Sequence, residues 1–232
     1  MIPNLPIYIS ISFFIITFYA LFLFEKSNQL KNSTKALIIF WIVFISVMAY
    51  NGVYHFKEGD VFSRFLFVLL PVIFFIIFLV NRSVVYQKRD LRWSTAVHIL
   101  RFPVELLLFQ LAMHKWIPIE MTYEGWNYDI IPGITSIVLV ILLNLKRVSD
   151  KLLLYWNIIG LVFILFILTN GFLSQELFYT KFGYSVPNRG IAYFPIILLA
   201  GVIVPIVIYT HITDIIVLRN KIKRDLKKTP LK

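Results

Sequence analysis

The residues in this sequence best suited to chemistry are three ionisable side chains set inside one apolar run: His98, Arg101 and Glu105. Spacings of three and four place them on one face of a helix. Ionisable groups are costly in hydrocarbon and need a partner, a cavity or a task, so that face must turn into a bundle. Pro103 lies between Arg101 and Glu105. It removes a backbone donor and frees the carbonyl of Ile99, adding a polar surface at the bend. A second group, His211, Thr213 and Asp214, follows Tyr209 and Thr210 in the last apolar run, which Pro195 and Pro205 interrupt. At about 1.5 Å of rise per residue, His98 lies about 6 Å inside the cytoplasmic end of its helix, and His211 and Asn157 reach a similar depth. Three helices could therefore supply one polar layer, with Glu105 nearer the midplane.

Three chemistries suit this set. In the first, His98, Arg101, Glu105, Asn157, His211 and Asp214 form a site for a small ligand, an ion or a proton. In the second, His98 and His211 ligate a metal or a b-type haem, since imidazole serves both. In the third, the network only locks helices, with Arg101 and Glu105 neutralising each other and interhelical hydrogen bonds contributing about 0.6–2 kcal/mol each. The first is favoured, because a midplane carboxylate rarely occurs without a task. Haem is the weaker cofactor reading, as two histidines are few and no further ligand motif supports them. A di-metal hydrolase is weaker still, and the balance lies against an enzyme.

The elements that must position these residues are membrane spans. Of 232 residues, 59% are hydrophobic and only 15% charged, against about 45–50% and 25% in soluble chains; mean hydropathy is +0.80. The absence of cysteine excludes disulfides, thiolate metal sites and thiol nucleophiles. No GxxxxGK[ST], HExxH, GxSxG or GxGxxG pattern occurs. Seven segments approach the roughly 20 apolar residues a span needs: 5–24, 36–54, 61–81, 94–113, 130–145, 152–173 and 191–213. The first lacks the basic leader and cleavage site of a signal peptide.

Loop charge sets the orientation. Seventeen Lys and Arg fall on one side, including Lys26, Arg82, Lys88, Arg89, Arg147 and the run 219–232; only Lys57, Arg64, Lys115, Lys181 and Arg189 fall on the other. Basic loops stay cytoplasmic, so the expected fold is all-α and polytopic, with seven transmembrane helices, the N-terminus outside and the C-terminus cytoplasmic. The expected division is a transmembrane domain over 1–218 and a basic tail over 219–232. The tail reads as a topogenic stop that touches anionic lipid headgroups, rather than a nucleic-acid patch. The outer loop from Pro118 to Asp129 alternates aromatics with Glu124, Asn127 and Asp129. It is expected to form a small hairpin or interfacial lid, with Lys181, Asn188 and Arg189 of the next outer loop as its partner, and Tyr123, Trp126 and Tyr128 at the headgroup boundary.

The seven-helix plan matches rhodopsin-like proteins only in topology. No lysine lies between residues 191 and 218, so a retinal Schiff base is not expected. The small three-plus-one-plus-three sugar transporters share the orientation, but their Pro-Gln signature is missing. The chain reads His98-Ile-Leu-Arg101-Phe-Pro103-Val-Glu105, then Met121-Thr-Tyr-Glu-Gly-Trp-Asn-Tyr-Asp-Ile130, then Pro187-Asn188, Phe194-Pro195, Val204-Pro205 and His211. This resembles an uncharacterised family of bacterial integral membrane proteins, which implies one recurring design and supplies no activity. The expected function is binding or transport of a small solute, ion or proton in a bacterial cytoplasmic membrane. The alternatives are a His-ligated membrane enzyme or redox protein, and a non-catalytic subunit of a membrane complex.

Overall fold

In a bilayer, backbone groups must be satisfied within the segment, which leaves the helix as the natural state of long apolar runs. The computed structural model describes residues 2–81 and 89–228, and every regular element among them is helical. Helices α1 (Ile7–Asn28), α2 (Asn32–Tyr50), α3 (Leu66–Asn81), α4 (Leu91–Met113), α5 (Ile130–Asn144) and α6 (Asp150–Leu173) are followed by a π turn at Leu199–Ile203 that leads into α7 (Val204–Lys228). Among the described residues, α1, α2, α4, α6 and the stretch from Leu199 through α7 are long and apolar enough to cross a membrane; α3 and α5 are apolar but shorter. Arg82 and Lys88 of the third loop and Lys232 of the tail lie outside the described residues.

Polarity is arranged inside out. Ile7, Phe18, Ile39, Phe40 and Phe74 turn outward, while Ser94, His98, Asn157, Thr210, His211 and Asp214 are fully buried. The most enclosed element is α7, and α2 is the least. The most extensive helix pairings are α4 along α5 and α6 along α7, with α1 against α4 next.

Prolines shape two of the site-bearing helices, α4 and α7. Asp90 caps α4 by accepting the Arg92 N–H at 2.9 Å. Pro103 cannot donate to Ile99, and α4 tightens into a 3-10 turn at His98–Leu100 just upstream. In α7, Pro205 frees the carbonyl of Gly201, which accepts instead from Trp41 Nε1 at 3.0 Å. Two expected boundaries are corrected. The third apolar helix begins at Leu66 rather than 61, because 57–65 form turns fixed by Asp60, which accepts the Lys57 N–H at 2.8 Å and pairs with Arg64. The last begins beyond 191: Gly190–Ala192 form a 3-10 turn, and the Arg189 and Gly190 N–H groups donate to the Trp116 carbonyl. At its other end α7 continues through Lys228, where Lys221 pairs with Asp150 at 2.8 Å.

Candidate functional site

Two glycines create the space in which the interior site forms. A Cβ at Gly133 would stand 2.7 Å from the Phe102 nitrogen, and one at Gly160 would stand 2.5 Å from His211 Cε1. Their missing side chains let α5 approach the backbone of α4 beside Arg101, and let α6 approach α7 at His211. Into that space α4 places His98, Arg101 and Glu105, α6 places Asn157, and α7 places His211, all buried.

His211 is held from both sides. Its Nδ1 is 2.9 Å from Asn157 Oδ1, and its Nε2 is 3.0 Å from Arg101 Nη1. Asn157 Nδ2 donates to the Leu153 carbonyl, so Oδ1 can only accept, and His211 Nδ1 must carry the hydrogen. Arg101 can only donate. Nε2 therefore accepts, and this arrangement specifies one neutral tautomer of His211. The His98 ring stacks on His211, with centroids 3.8 Å apart, and meets Trp156 edge-on; neither of its nitrogens has a hydrogen-bond partner among the described residues.

Arg101 does not pair with Glu105, despite their spacing on one helix. Its Nε donates to Asp129 Oδ2 at 2.7 Å, its Nη2 to Asp129 Oδ1, and Nη2 also reaches the Gly160 carbonyl at 3.2 Å. Arg before Glu is the poorer order for an i,i+4 pair, and Asp129 at the N-terminus of α5 offers a carboxylate on a second helix, where the dipole favours it. Glu105 instead accepts from Asn127 Nδ2 at 2.6 Å through one oxygen, while its Oε2 has no partner among the described residues. A cavity of about 60 Å³ adjoins Glu105 and Asp129. One guanidinium thus faces two carboxyl groups. The cluster is neutral only when a proton or a bound cation accompanies one of them.

This corrects the reading of the outer loop. Asn127 and Asp129 are buried components of the interior site. The loop forms a 3-10 turn at Ile119–Met121 and further turns rather than a hairpin. Glu124 is exposed and apart from the site. Asn188 is buried beside Met121 and Gly171, whereas Arg189 is exposed and pairs with Glu176 at 2.6 Å. Lys181 is exposed; the two outer loops meet through the Arg189 and Gly190 N–H groups on the Trp116 carbonyl and through Glu120, which accepts from the Ser185 N–H and hydroxyl.

Asp214 belongs to a separate inner cluster. The Arg89 side chain, immediately ahead of α4, is fully buried. It pairs with Asp214, donates to Asn28 Oδ1, and reaches Ser94 Oγ at 2.8 Å and the Thr210 carbonyl at 3.3 Å. Ser94 Oγ also donates to Asp214. Sequence reasoning counted Arg89 only as a loop charge that sets orientation. A buried Asp214 demanding a cation from the same membrane face was the available signal.

The residues present do not fit a haem or a shared metal. Both nitrogens of His211 are engaged, a guanidinium abuts one of them, and stacked rings 3.8 Å apart leave no gap for a macrocycle between them. Among the described residues no group of three or more His, Asp or Glu side chains has a metal-binding arrangement.

Residues 60–219 match the family described as Domain of unknown function (DUF8737), and the chain belongs to that family. The match contains every residue of both clusters except Asn28. No curated protein and no solved structure matches the chain.

Proposed function

We propose that this protein spans a bacterial cytoplasmic membrane seven times, N-terminus outside and C-terminus inside, and that it binds or moves a small ion, foremost a proton, through its interior. The HxxRxPVE stretch of α4 and the loop ending at Asp129 would then be the family's working motifs. The observation that carries the reading is Glu105: a buried carboxyl with one oxygen unpartnered, beside a small cavity, in a cluster with two carboxyl groups to one guanidinium.

Size and ligand number favour the proton. A cavity of about 60 Å³ is far below the roughly 300–1,000 Å³ of pockets that enclose a drug-sized ligand. Its polar side chains are Glu105, Asp129 and Asn188, fewer than the six or so oxygens hard cations gather. From Glu105, polar groups continue through Asn127, Asp129, Arg101 and His211 to His98, and beyond Thr210 to Arg89 and Asp214. The exposed basic residues Arg219, Lys223, Arg224 and Lys227 at the end of α7 suit anionic headgroups on the cytoplasmic face. In proteoliposomes with a trapped pH dye, an acid step outside should acidify the lumen faster with wild type than with Glu105→Gln. Equal rates, with both proteins folded, would remove the proposal.

A further inference from the structure

A second cavity, of about 330 Å³, opens at the end of the bundle where the loops after α2, α4 and α6 meet. Its wall includes His55, Arg64, Trp116, Arg189 and Tyr193. Both arginines are already committed, Arg64 to Asp60 and Arg189 to Glu176, each through two hydrogen bonds. This vestibule and the inner cavity at Glu105 share one lining residue, Asn188.

Asn188 is mounted to move. Its backbone is fixed: the N–H donates to the Ser174 carbonyl at 2.8 Å, and its own carbonyl accepts from Gln175 Nε2 at 3.3 Å. Its side chain is held loosely, with Nδ2 at 3.4 Å from the Gly171 carbonyl and 3.7 Å from Met121 Sδ. Oδ1 is buried without a partner among the described residues, an arrangement that costs free energy unless water or a proton donor visits it. Beyond it lies the carboxyl with an unpartnered oxygen, Glu105, which can donate once protonated.

We infer that Asn188 is the gate through which water, and with it a proton, passes from the vestibule to Glu105. The water passage stands on the two cavities; the proton rests on the function proposed above. With the side chain across the boundary the two cavities stay distinct. When it swings aside, a short file of waters joins the vestibule to the unpartnered Glu105 oxygen, and Asn188 Oδ1 accepts a hydrogen from the file.

The absence of cysteine allows a direct test. Ala200 lines the inner cavity and Ala192 lines the vestibule, so Ala200→Cys reports access beyond the gate and Ala192→Cys access before it. Each is treated with 2-aminoethyl methanethiosulfonate in detergent, and the labelled fraction is followed by intact mass. Adding Asn188→Ala should speed labelling at position 200 by about tenfold, as expected for a gate closed nine-tenths of the time. Asn188→Leu should slow it below the wild-type rate, and neither should alter labelling at position 192. Labelling at 200 that ignores both substitutions, or changes at 192 by the same factor, overturns the gate. Asn188→Ala alone decides if the leucine variant fails to fold. Gated labelling in a protein that passes no protons would keep the gate and remove the proton reading.

Discussion

Replacing Arg101 with Met severs two bonds to Asp129, one to His211 and one to the Gly160 carbonyl. It leaves a buried carboxylate without its cation and His211 Nε2 without a donor. Breaking a buried pair from one side costs about 3–5 kcal/mol, and the orphaned imidazole nitrogen moves the expected loss toward the upper end of that range. Removing both members should recover much of it, because joint apolar replacement of a buried pair is often nearly neutral. The informative quantity is the coupling energy from a double-mutant cycle. Arg101→Met with Asp129→Leu should show a coupling of about 2–3 kcal/mol, whereas Arg101→Met with Glu105→Gln should show less than about 1 kcal/mol, since no hydrogen bond or ion pair joins them. Unfolding in detergent by SDS titration, followed by helicity, measures all five variants. A larger coupling to Glu105 than to Asp129 would refute the assignment of partners.

Gly160→Ala should destabilise by about 1–3 kcal/mol, because its Cβ would force His211 from both partners. Gly171→Ala, whose Cβ meets only Met121 Cε at 3.5 Å, should be neutral or mildly stabilising in the same SDS titration. His98→Phe should preserve stability, as that ring makes no hydrogen bond, while His211→Phe strands Asn157 and Arg101 and should unfold earlier. Asp90→Ala should cost about 1 kcal/mol by loss of the α4 cap. The Arg92 hydrogen bond holds the Asp90 carboxyl below its ordinary value, so this contribution is fully present above the unfolded carboxylate range and fades as pH falls through the folded value. The difference between wild type and Asp90→Ala in a pH series of melts should therefore shrink at the acid end.

How far the site could be read from the sequence depended on what was periodic. Helix rise is fixed, so depth arithmetic alone put His98, Asn157 and His211 in one layer, and the three side chains do meet. The partner of Arg101 was not legible, because Asp129 arrives from a loop whose return path obeys no period. Asn127 and Asp129 therefore read as an outer lid when they are buried against Glu105 and Arg101. Arg89 was hidden by the same statistics that orient the chain: a basic residue just outside a span looks solvated, and nothing local marks it as the cation for Asp214, 125 positions away. Gly133 and Gly160, which admit the helices to one another, carry no signal beyond being small.

The measurement closest to the central claim is the infrared carboxyl band of Glu105 in the reconstituted protein. A proton on Glu105 gives a C=O stretch that a carboxylate lacks, and Glu105→Gln identifies it by its loss. The account predicts such a band in the acid-to-neutral range, shifting promptly when water is replaced by D2O, because the unpartnered oxygen exchanges with water. A band that does not shift after prolonged D2O exposure, or no assignable band at any pH in that range, would contradict it.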